Sequence, residues 1–199
     1  INGQPLTINW ADRNIPSILE AWFPGQLGGE AIAQTLFGDY NPGGRLSVTF
    51  PRSIGQIEFN FPFKPGSQDG QYFEGPNGSG RTRVNGALYP FGYGLSYTTF
   101  AYSNLSVKQE TPYSQSPVTV TVDVTNTGKR AGDEVVQLYI RDKVSSVIAY
   151  ESVLRGFERI SLQPGETKTV SFVLLPEDLQ ILDRHMEWTV EPGEFEVRI

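Results

Sequence analysis

The chain changes its hydrophobic rhythm near its middle. From about residue 98 onward, apolar residues fall at every second position. In "PVTVTVDVTNTG", Val118, Val120, Val122 and Val124 point one way, while Thr119, Thr121, Asp123 and Thr125 point the other. Successive side chains of a strand project to opposite faces, so this pattern predicts a half-buried antiparallel strand ending in an Asn-Thr-Gly turn. "EVVQLYIRD" repeats it with Val136, Leu138 and Ile140, "ETKTVSFVLL" with Val170, Phe172 and Leu174, and "GEFEVRI" with Phe195, Val197 and Ile199. "FAYSNLSV" and "LRGFERISL" supply two further strands, and turn signals recur at "TGKRAGDE", "QPGET" and "EPGE". Short alternating strands punctuated this way predict a β-sandwich of immunoglobulin-like type.

The first fifty residues carry other signals. "LTINW" reads as a short strand, and "IPSILEAWF", which ends at Pro24-Gly25, as a buried one. In "GGEAIAQTLFG", Ile32, Ala33, Leu36 and Phe37 share one helical face. Glu30 sits in the first turn, favourable to the helix dipole, and Gly38 is placed to cap the end. "GRLSVTFP" returns to a strand. Strand, helix and strand suggest a piece of an α/β layer too small to bury both faces of a sheet, and so the tail of a larger domain. Residues 51 to 88 are rich in Gly, Pro, Asn and Ser with scattered aromatics, which predicts a long ordered loop. It leads into "LYPFGYGLSYTTF", an uncharged aromatic run that suits a buried hinge or, alternatively, a sugar-stacking platform.

Composition narrows the choice of chemistry. The net charge is −6 with no basic block, and phosphate neutralisation needs clustered Lys and Arg, so no nucleic-acid partner is expected. There is no cysteine, which removes disulfides, thiolate metal sites and a cysteine nucleophile, and separates the sandwich from antibody-type domains. One histidine, His185, rules out a multi-histidine metal centre. No apolar run approaches the ~20 residues of a membrane span, and "INGQPLTINW" lacks the basic segment of a signal peptide. "GQLGGE" lacks the Lys-Ser/Thr ending of a phosphate loop, so no nucleotide cofactor, and no cofactor of any kind, is expected.

Four motifs, in order, carry a resemblance: "AWFPGQLGGEAIAQTLFGDYNPGGRLSVTFP", "LYPFGYGLSYTTF", "VTNTGKRAGDEVVQLYI" and "LRGFERISLQPGETKTVSFVL". Together they resemble the C-terminal region of glycoside hydrolase family 3, of the bacterial β-glucosidase and β-xylosidase type. The resemblance implies a (β/α)₈-type barrel, then an α/β sandwich, then a fibronectin type III-like domain. This chain would hold residues 1–50 as the end of the α/β sandwich, 51–97 as a connecting loop and aromatic hinge, and 98–199 as the fibronectin-like β-sandwich. It also implies as partners the missing barrel and the remainder of the α/β domain, with self-association when they are absent, and a β-linked oligosaccharide or glycoside as substrate. A periplasmic or extracellular location is expected, with the cytoplasm also compatible.

A retaining glycosidase needs two carboxyl groups about 5 to 5.5 Å apart. In the resembled family the nucleophile is a barrel Asp and the acid/base a Glu of the sandwich domain, and neither motif has a match in this chain. No catalytic residue and no metal ligand is therefore expected here. The candidates for substrate contact are Glu74, Arg83 and Tyr72 in the long loop, and Trp22 in "EAWFPG". Each also has a plain structural reading, as solvated loop polarity or as core packing. Asp69, Phe73 and Arg81 lie in the same loop. Glu20 reads as a strand-end acid, and Asn77 and Asn104 head glycosylation sequons that arise often by chance. The alternative to an enzyme fragment is a non-catalytic carbohydrate-binding or structural interaction module. A binding module would present a row of Trp or Tyr on one strand face, whereas these strands carry mostly Val, Ile, Leu and Thr.

Overall fold

The computed structural model describes residues 1–56, 60–64, 86–109 and 116–199. They divide into two compact units, one of residues 1–40 and 45–94, the other of residues 41–44 and 95–199.

In the first unit the helix expected in "GGEAIAQTLFG" is present as α2, Gly28–Phe37. Gly38 ends it in the left-handed region at φ 85°, a conformation that costs glycine little. Only part of the expected apolar face is covered: Ile32 and Ala33 are half-buried, but Leu36 and Phe37 stand 64% and 86% exposed. No strand forms at "LTINW"; its last two residues open a helix, α1, Asn9–Asn14. Asp12 N–H donates to the Ile8 carbonyl, Ile15 N–H to that of Ala11, and Asn14 Nδ2 to that of Trp10. "IPSILEAWF" forms no strand, and "GRLSVTFP" reaches only an isolated antiparallel bridge, Phe50 with Tyr89. A strand needs a neighbour to take its backbone groups, and among the described residues only 46–50 find one. Leu46 and Phe50 exchange hydrogen bonds with Leu88, Tyr89, Gly92 and Tyr93. This places the first half of the aromatic run against Phe50, which is 2% exposed. Gly92 turns the run at φ 81°, with Tyr93 N–H closing onto the Pro90 carbonyl.

The second unit is built as the alternation predicts. Its strands are β1 (Phe100–Gln109), β2 (Val118–Asn126), β3 (Gly132–Asp142), β4 (Val153–Leu162), β5 (Thr167–Leu174), β6 (Ile181–Leu182), β7 (Trp188–Thr189) and β8 (Phe195–Arg198). Among the described residues they form two three-stranded antiparallel sheets, ordered β1-β2-β5 and β4-β3-β8, and the small hairpin β6-β7. A short 3-10 helix, Pro176–Leu179, follows β5. Val122, Val124, Val136, Ile160, Leu162 and Val170 make one buried cluster, and Val120, Leu138, Ile140 and Leu174 a second. Phe172 and Ile199 pack on both and join them into one core. A bulge at Ser103–Ser106 leaves Asn104 at φ 53°, with its Nδ2 donating to Asp123 across the strand pair.

Two junctions organise this unit. Asn126, fully buried, ends β2 and satisfies every polar site it has. Its Oδ1 accepts from Thr98 Oγ1 at 2.7 Å and Gly128 N–H at 3.0 Å, and its Nδ2 donates to the Arg130 and Leu162 carbonyls at 2.8 and 3.0 Å. The turn expected at Asn-Thr-Gly is thus also a tie between the two sheets. The second junction is the segment Asn41–Gly44. Asn41 Nδ2 donates to the Ala131 carbonyl, and its Oδ1 accepts from Ser96 Oγ and Tyr97 N–H. Gly43 is buried, and a Cβ there would lie 2.9 Å from Asp133 Cβ, so no larger residue fits.

Candidate functional site

Of the four residues expected to contact substrate, Tyr72, Glu74 and Arg83 lie outside the described residues, as do Asp69, Phe73 and Arg81. Trp22 lies within the described residues. It follows the extended segment after α1 and precedes Pro24 and the turn into α2. It is half-buried, and its backbone lies in the left-handed region at φ 49°. Its N–H donates to Glu20 Oε1 at 2.9 Å. Its indole meets the ring of Phe50 at 5.8 Å, tilted by 52°. Phe50 contacts Tyr89 edge-on at 6.3 Å, and Tyr89 stacks on Tyr93 at 5.3 Å. A file of four rings therefore runs from Trp22 through buried Phe50 to Tyr93, which is 39% exposed. Phe61 stacks on Phe91 at 4.3 Å beside the same run.

Several polar groups of this unit bond to near neighbours. Tyr89 Oη donates to Asp12 Oδ1 at 2.7 Å. Burial, then the bond to the Asp12 carboxylate and its charge, push the Tyr89 phenol up to about 12, so it stays a neutral donor at any physiological pH. Glu30 accepts from Gln34 one helical turn on. Glu20 holds the Trp22 backbone. None of these bonds pairs one carboxylate with another across a gap that a glycosidic bond would occupy. What the arrangement offers is a file of packed rings, with Trp22 half-buried at one end and Tyr93 exposed at the other.

In the second unit, His185 sits in the turn of the β6-β7 hairpin, where Asp183 accepts from the His185 and Glu187 backbone N–H groups. Among the described residues no three His, Asp or Glu side chains gather to hold a metal ion, and no helix is long and apolar enough to cross a membrane.

Sequence reasoning names Trp22 but misses what holds it. Nothing in "LEAWF" signals a left-handed tryptophan, since bulky residues avoid that region. Glu20 reads as a strand-end acid only because a strand is expected there. The one available signal is its spacing, two residues ahead of Trp22.

Residues 1–97 match the family described as the Glycosyl hydrolase family 3 C-terminal domain, and residues 134–199 the Fibronectin type III-like domain. A β-xylosidase of Formosa agariphila is 48% identical over the whole chain, which spans 27% of that protein. A periplasmic β-glucosidase of Salmonella typhimurium is 44% identical, again over the whole chain and 26% of its own length. Among solved structures, a β-glucosidase from Erythrobacter marinus superposes with a TM-score of 0.85 at 42% identity, covering 99% of this chain and 25% of that one. The β-glucosidase of Listeria innocua, solved in complex with glucose, gives 0.84 at 33% identity, covering 98% of this chain and 28% of that one. The chain thus spans about a quarter of the length of the proteins it matches. It belongs to glycoside hydrolase family 3, as the C-terminal domain of that family followed by a fibronectin type III-like domain.

Proposed function

We propose that the full-length protein is a retaining β-glycosidase that removes terminal, non-reducing β-D-glucosyl or β-xylosyl residues. This chain is its non-catalytic C-terminal part. The observation that carries the reading is the match of the whole chain, at 48% and 44% identity, to proteins named β-xylosidase and β-glucosidase. Fold alone would not carry it, because one fold hosts many chemistries. The local commitments of Asp12, Glu20 and Glu30 support the inactivity of the chain by itself.

The remainder of the enzyme, a barrel and the rest of the α/β domain, is the natural cover for the apolar side chains of the first unit. Trp10, Phe23, Leu27 and Phe37 are each 70% exposed or more, and exposed apolar patches mark interfaces or promote association. Alone, the chain self-associates through them. The periplasm or the extracellular space is the proposed location, in keeping with the periplasmic relative. Glu74, Arg83 and Tyr72, in the sequence after Lys64, are proposed to reach the sugar together with Trp22.

Turnover of aryl β-glucosides and aryl β-xylosides by the full-length protein, and none by residues 1–199 alone, is the expected result. Turnover by the isolated chain that vanishes with one Glu→Gln change would overturn the division of labour. In the full-length enzyme, Glu74→Ala and Arg83→Ala should each lower kcat/KM with an unchanged Tm. Unchanged kinetics in both would refute a role for these residues at the sugar.

A further inference from the structure

Trp22 is held in a backbone conformation that a bulky side chain avoids, with φ at 49°. Such a position persists only where its surroundings over-determine it, and such positions cluster at ligand clamps and active sites. Two independent contacts do so here. Glu20 Oε1 accepts from Trp22 N–H at 2.9 Å and closes a two-residue loop around the strained backbone. Phe50, 2% exposed, meets the indole at 5.8 Å in a tilted contact. Packing alone would not require this, because a tryptophan in ordinary extended backbone can fill a core. The indole is instead braced on a buried ring while the residue itself remains half-buried.

We propose that Glu20 is a positioning residue that locks the left-handed Trp22 backbone, so that the braced indole presents a preformed stacking face to the pyranose ring of the substrate. The proposal rests on the glycosidase reading above for its ligand. Its geometry rests only on this chain. A ring fixed before binding loses little rotamer freedom when the sugar arrives, which is how preorganisation raises affinity. Glu20 itself touches no substrate; it acts through Trp22.

The test has two arms. In the first, the 199-residue chain carries Trp10→Phe and Trp188→Phe, both at exposed positions, so that Trp22 is the sole tryptophan. Acrylamide quenching is expected to rise about twofold in Glu20→Ala, as the indole loosens from Phe50, and to stay at the parent value in Glu20→Gln, whose amide oxygen still accepts the Trp22 N–H. In the second arm the full-length enzyme is assayed on an aryl β-glucoside with glucose as competitor. Glu20→Ala should raise both KM and the glucose inhibition constant about fivefold, the size expected for one ring contact, with kcat within about twofold. Glu20→Gln should restore both. The proposal is overturned if Glu20→Ala leaves quenching or KM at the parent value, or if Glu20→Gln fails to rescue. Absence of any turnover by the unmutated enzyme would instead defeat the glycosidase reading, while the quenching arm would still decide whether Glu20 positions the indole.

Discussion

Replacing Asn126 tests how the second unit is tied together. The side chain is fully buried and makes four hydrogen bonds, two accepted and two donated. Each contributes about 1 kcal/mol net, and each buried partner left bare costs about 1 to 3 kcal/mol. Of the four partners, the Leu162 carbonyl and the Thr98 hydroxyl form the buried bonds, whereas those at Arg130 and Gly128 are partly buried. Asn126→Ala should therefore cost about 4 kcal/mol, a large share of the ~5–15 kcal/mol that holds a domain folded. Asn126→Asp is the sharper experiment. The two donated bonds go to carbonyl oxygens, and an ionised carboxylate there faces both with no proton to give. Burial and those carbonyls raise the pKa of the new Asp in the folded state. An acid whose folded pKa is raised destabilises progressively as pH climbs from its unfolded value, about 3.9, towards the folded one. The deficit of Asn126→Asp relative to the parent should then shrink on acidification, by up to about 1.4 kcal/mol per pH unit within that window. Urea unfolding followed by far-ultraviolet circular dichroism, at neutral and at mildly acid pH, measures it. A loss under about 1 kcal/mol in Asn126→Ala, or a pH-independent deficit in Asn126→Asp, would refute the assignment of Asn126 as a buried tie.

Other positions carry further tests. At Gly156→Ala the new Cβ would lie 2.8 Å from Phe172 Cδ1, in the ring that joins the two core clusters, so thermal melting should fall by the equivalent of about 1 to 3 kcal/mol. Val122→Asp puts an unpaired charge at a position 2% exposed in the larger cluster, and the second unit should lose its folded circular dichroism signal. Asp133 is held below the usual carboxylate range, first by its bond from Ser161 and then by Arg159, against partial burial. Its stabilising effect is therefore complete above the unfolded pKa and lost as pH falls through the folded one, and Asp133→Asn should flatten the acid limb of the stability-pH curve.

The alternating valines were readable because β2, β3 and β5 each bury one face in a core that later segments of the same chain complete. The inward Val120, Val122 and Val124 follow directly from a period of two. The first unit was less legible for the converse reason. "IPSILEAWF" has strand composition, but composition cannot supply the neighbour that a ladder needs, and no described segment does. "LTINW" forms no strand because its three alternating apolar residues, Leu6, Ile8 and Trp10, are outweighed by an asparagine-flanked turn that closes as α1. Asn126 announced a turn and hid its buried contacts, which depend on Leu162 and Thr98, 36 and 28 residues away. The left-handed Trp22 had no signal at all, since the contacts that hold it override the residue's own preference.

The passage of Asn41–Gly44 into the second unit bears on how a protein of this family can gain or lose that unit. A module strung on one linker can be cut away or exchanged by a single crossover in its gene. Here a cut after Gly94 would strip Asn41 of its partners at Ser96, Tyr97 and Ala131, and leave Gly43 without the surface it was fitted to. Trading this domain for a relative's would have to carry a matching "NPGG" from well upstream. Chimeras joined at that late boundary should survive only when donor and recipient agree on both sides of this embedded loop, so the second unit is inherited with part of the sequence before it and not as a detachable cassette.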